Sequence, residues 1–126
     1  MTRLALFFGL LLLSLPATAA EISPEIQVQL QAATQQYIEQ VSAEGAYTYI
    51  DHKSEDLKTV YPANVHPMVL PFGKDYFVCS EMVDENGSHI TADFLVRRFD
   101  DDYRVVQMIL DNRPVVESAM EKVNRR

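Results

Sequence analysis

Four side chains in this sequence could do chemistry together: His66, Cys79, Glu81 and Asp93. A thiolate, an imidazole and carboxylates are the donor set of a zinc or other transition-metal site. His66, Cys79 and Asp93 are the candidate metal ligands. With Glu81 the same set would serve a cysteine nucleophile and a histidine base. The spacing is loose, with no Cys-x-x-Cys and no His-x-x-x-His run to bring two ligands onto one turn. The competing reading is structural. Cys79 then packs as a small hydrophobe, His66 sits before Pro67 in a bent strand, and Asp93 accepts hydrogen bonds from the backbone or Arg97.

Other polar features have simpler explanations. His52 and His89 fall in or beside loops. Asp100-Asp101-Asp102 lacks the alternating ligands and glycine turn of a calcium loop. It reads instead as a charged hairpin that discourages edge pairing. Asn86-Gly87-Ser88 matches a glycosylation sequon, but an Asn-Gly turn accounts for it. No glycine-rich phosphate loop, no serine-centred elbow and no basic-aromatic alternation is present.

The candidates lie on residues 76–110, or on the strand before them. This stretch reads as three strands in hairpin succession, turning at residues 84–87 and 100–102. Register follows from burial, because a one-residue slip sends every side chain to the opposite face. A two-residue Asn-Gly turn would put Glu81 on the face of Ile90, Ala92, Phe94 and Val96. A three-residue loop with Gly87 in a bulge pairs Asp84 with Ser88 and sends Glu81 to the other side. Burying an unpaired carboxylate is costly, so the second register is preferred. It sets Cys79 opposite Asp93. A three-residue Asp100-Asp101-Asp102 loop would add Val106, Met108 and Leu110 to the core face. The other face carries Phe77, Cys79, Glu81, Thr91, Asp93, Leu95, Arg97, Phe99, Tyr103, Val105, Gln107 and Ile109. It mixes large apolar residues with charges and the single thiol.

Upstream, Ser23-Pro24-Glu25 is a helix start, with an N-cap, a proline at the first position and a carboxylate facing the positive helix end. Ile26, Leu30, Ala33, Tyr37 and Val41 form one apolar stripe. Gly45 is the expected terminator, giving a helix of about 20 residues, ~30 Å long. Residues 46–50 form a short strand, and 51–56 a polar loop. Residues 57–70 are extended, but Pro62 and Pro67 force a bulge, a break or an edge position. Val116, Ala119, Met120 and Val123 mark a short C-terminal helix.

Residues 4–15 form an apolar run of about a dozen residues, too short for the ~20 that span a bilayer. Arg3 precedes it, and Pro16 and the small residues 17–20 follow. This is the pattern of a cleaved signal peptide over residues 1–20, which implies a periplasmic or secreted protein. Residues 21–126 are then one α+β domain, with no stable membrane insertion after cleavage. Removing Arg3 leaves 10 basic and 18 acidic residues, so the net charge becomes 10 − 18 = −8. Such a chain has no electrostatic reason to bind nucleic acid. One cysteine permits no internal disulfide.

The string Val65-His66, Val69, Tyr76-Phe77-x-Cys79 and Asp93-Phe94 resembles small exported bacterial proteins of uncharacterised function. A helix followed by a curled antiparallel meander is similar to the cystatin-like or NTF2-like class of fold. The residue patterns themselves give the expected fold: α+β, one long N-terminal helix packed on a curled antiparallel meander of four to five strands, with a short C-terminal helix. The resemblance implies no activity. The reading favours a binding or interaction module over an enzyme. Its binding face is Phe77, Cys79, Glu81, Asp93, Leu95, Arg97 and Gln107, and its ligand is a protein, a second copy or a small molecule. No cofactor is required; the alternative is a transition metal in a metal-dependent or thiol enzyme.

Overall fold

The computed structural model describes residues 21–63 and 67–126, so His66 lies outside the described residues. Helix α1 spans Pro24–Val41. Ser23 Oγ accepts a hydrogen bond from the Ile26 amide at 3.3 Å, satisfying one of the amides that a helix start leaves unpaired. The helix has 18 residues and is shorter than the spacing suggests. The chain leaves it at Ser42 in an extended conformation. Gly45 does not cap α1. It belongs to a tight turn closed by hydrogen bonds between Ala43 and Ala46, where Glu44 and Gly45 both have positive φ. Nor is α1 at the start of the chain, since residues 1–20 precede it.

Six antiparallel strands follow: β1 Tyr47–Ile50, β2 Leu57–Pro62, β3 Met68–Phe72, β4 Asp75–Asp84, β5 His89–Phe99 and β6 Asp102–Leu110. They curl into a half-barrel in the order β1-β2-β4-β5-β6. The two prolines split the expected long strand, because neither can donate to a ladder. The pieces, β2 and β3, share one edge of β4. Among the described residues the sheet thus has six strands where four to five were expected. Helix α2, Arg113–Asn124, follows the sheet.

The β4–β5 register is the one that burial requires. Cys79 pairs with Asp93, and Asp84 exchanges hydrogen bonds with Ser88 and Gly87 across the turn. Gly87 takes φ +80°, as the bulged loop demands. The β5–β6 hairpin differs from expectation. Phe99 pairs with Asp102, which leaves a two-residue turn, Asp100-Asp101, with Asp100 at φ +53°. The extra residue appears downstream as a bulge: Val96 pairs with Val105 and Leu95 with Gln107, leaving Val106 unpaired. A bulge restores phase beyond itself. Met108 and Leu110 therefore do face the core, but Val106 points to solvent and Tyr103 and Val105 turn inward.

Helix α1 covers the concave face. Leu30, Val78, Phe94 and Val96 are fully buried there, and Tyr37 meets Phe94 edge-on at 6.2 Å. Burying such a side chain stabilises by about 1.5–3 kcal/mol. Tyr76 and Tyr103 make a second edge-on pair at 6.1 Å, the direct consequence of the bulge.

Candidate functional site

The outer face of β4 and β5 is not open. Beyond β6, the Asp111 amide bonds to the Thr91 carbonyl, and Asp111 takes φ +50°. This turns the chain back over the sheet, and Pro114 preorganises the helix start. Val116 of α2 is buried against Phe77 and Cys79, with Leu95, Ile109 and Met120 packed around them. The face expected to lack an owner is therefore partly covered by the chain's own C-terminal helix.

Under α2 lies a buried polar cluster. Asp93 has no solvent exposure. Its Oδ2 accepts a hydrogen bond from Arg113 Nε at 2.8 Å, while Oδ1 is buried without a hydrogen-bond partner. The Asp93 carboxylate in turn raises the affinity of Arg113 for its proton. Cys79, buried beside Asp93, has its thiol pushed up to about 12. Burial is the main cause, and the negative carboxylate adds to it. A thiol so raised supplies almost no thiolate near neutrality, the form that attacks or ligates.

The four chemical candidates are not all brought together. Cys79 and Asp93 are neighbours. Glu81 lies two residues further along β4 and turns away to pair with His89 at 3.0 Å, both side chains being well exposed. Arg97 reaches Asp75 with a two-bond fork at 3.0 and 2.9 Å, not Asp93. Among the described residues no group of three His, Cys, Asp or Glu side chains is placed to hold a metal ion.

An opening lies beside this cluster. A cleft of about 650 Å³ runs along β6. Phe77 and Leu95 of the outer face form one wall with Val115 and Ala119 of α2. Tyr47 and Tyr49 of β1 form the other, their rings stacked at 5.6 Å. Ile50, His52 and Lys53 stand at the mouth. There Lys53 Nζ donates to the Asp111 carbonyl at 2.7 Å and ties the β1–β2 loop to the end of β6. Ile50 and Val115 are strongly exposed for apolar residues, at 65% and 47%. Of the expected binding face, Phe77, Leu95 and Gln107 line this cleft, whereas Cys79, Glu81, Asp93 and Arg97 do not.

Arg113 and the α2 wall escape a reading of sequence alone. One signal for Arg113 was present. A cation at the first position of a helix opposes the helix dipole, so its partner must lie elsewhere. Comparison with protein-family models, curated proteins and solved structures finds no match to this chain.

Proposed function

We propose that this chain is an exported binding module that holds an apolar or amphipathic ligand in the cleft between β1, β6 and α2. The observation that carries the reading is the cleft itself. Its volume of about 650 Å³ falls in the range of ligand sites. Its walls are aromatic and aliphatic, with a few polar groups such as Gln107 and Asn112 among them. Export follows from the apolar leader in residues 4–15 and its small-residue end. The Cys79–Asp93–Arg113 cluster acts in this reading as support: it pins α2, and α2 forms one wall of the cleft.

The probe is the neutral dye N-phenyl-1-naphthylamine. Its fluorescence should rise saturably on titration with the protein. Ala119→Phe should weaken binding about tenfold or more, ~1.4 kcal/mol, because Ala119 lines the cleft but belongs to neither buried cluster. Unsaturable binding, or equal binding by the variant, would refute the proposal.

A further inference from the structure

We infer that the occupant of this cleft is an extended polypeptide segment, neutral or basic, with apolar side chains at alternate positions, added as a new strand to the outer edge of β6. The inference rests on the binding-module reading and specifies its ligand.

The lining of the cleft carries the argument. Gln107, Met108, Ile109 and Leu110 all line it, although they are consecutive residues of one strand. Successive side chains of a strand point to opposite faces. Four in a row can border one cleft only if that cleft runs along the strand's edge and touches its main chain. Among the described residues no strand pairs with this edge of β6.

The direction of the main-chain groups follows from one hydrogen bond. The Asp111 amide points at β5, bonding the Thr91 carbonyl at 2.9 Å. Amides alternate along an antiparallel strand. Ile109 therefore also faces β5, whereas Met108 and Leu110 turn their N–H and C=O groups outward, into the cleft. Unpaired main-chain donors and acceptors between apolar walls are what an incoming strand requires: the edge supplies hydrogen bonds, and the walls take alternate side chains. The opposite wall is β1, itself an edge strand that among the described residues pairs only with β2. An added strand would extend the half-barrel from β6 towards β1.

Charge separates the partners. The chain carries a net charge of −7, so a second acidic copy is repelled and a neutral or basic segment is favoured.

The test screens the full chain against random decapeptides immobilised on beads, with Ala119→Phe as the filled-cleft comparison. Peptides selected by the wild type should carry apolar residues at alternate positions and few acids, and should bind Ala119→Phe about tenfold more weakly. N-methylating every second peptide amide should abolish binding in one phase and spare it in the other, because only alternate amides face β6. Met108→Pro removes an outward N–H without touching the ladder to β5, and should weaken the same peptides. Should that variant fail to fold, the N-methyl phase decides alone. Peptides with helical spacing, or peptides indifferent to the phase of N-methylation, would overturn strand addition. So would a failure to select any peptide that distinguishes wild type from Ala119→Phe. If the naphthylamine dye still binds in those cases, the cleft remains a ligand site and only the peptide is wrong; if it does not, both readings fall.

Discussion

Cys79 is the residue on which the chemical readings of the sequence turned, and its surroundings decide its character. The side chain is 6% exposed and lies against a buried carboxylate. Both conditions disfavour the thiolate, and the thiol rises to about 12. The unfolded thiol titrates near ~8.5. Between these values the unfolded chain releases a proton that the folded chain keeps. Stability should therefore be fully present below about pH 8.5 and fall as the pH rises towards 12. Tyr37 and Tyr49, also raised by burial, act in the same direction. Cys79→Ala isolates the thiol: its stability curve should be flatter than that of the wild type by up to about 1.4 kcal/mol per pH unit. Urea denaturation across pH 8–11 measures this, and parallel curves would mean the thiol is not raised. The facing of Cys79 and Asp93 was legible in the sequence, because only one hairpin register spared Glu81 from burial. The partner of Asp93 was not. Arg97 is the strand's cation at the same-face spacing from Asp93, but Asp75 holds it through two hydrogen bonds. Arg113 arrives from a helix whose docking no local pattern encodes.

At the scale of elements, α2 is the part whose role changed most. Its apolar positions are visible in Val116, Ala119, Met120 and Val123, but periodicity does not say which surface they meet. One strong polar contact, Arg113 to Asp93, joins α2 to the sheet. Removing one partner of a buried ion pair leaves the other uncompensated. Arg113→Ala should thus cost about 3 kcal/mol, and adding Asp93→Asn should recover part of that loss, since the orphaned charge goes with it. Chemical denaturation of the single and double variants checks both statements. A single variant within about 0.5 kcal/mol of wild type would show that the pair does not hold α2. Residues 100–102 and the paired valines 105–106 allow an extra residue to be placed in the turn or in the strand. Tyr103 decides between them, because the second choice buries its ring beside Tyr76. That preference depends on a partner 27 positions away, which hairpin rules do not consult.

For the whole molecule, the α+β class and the helix over one sheet face could be read from apolar periodicity, and proline chemistry marked residues 57–70 as irregular without choosing between a bulge, a break and an edge. The cleft could not, because its walls come from β1, β4, β5, β6 and α2 at once. On the strand-addition proposal its floor is the main chain of β6, which carries no sequence signature. The central claim is that this floor is a free edge awaiting a ligand strand. Amide hydrogen exchange followed by NMR tests it most directly. In the free protein the Ile109 amide should exchange slowly, being paired to β5, while Met108 and Leu110 exchange fast. A peptide selected by the cleft should slow Met108 and Leu110 about tenfold or more. Met108 and Leu110 amides already protected in the free protein, or still fast when the peptide is bound, would contradict the account.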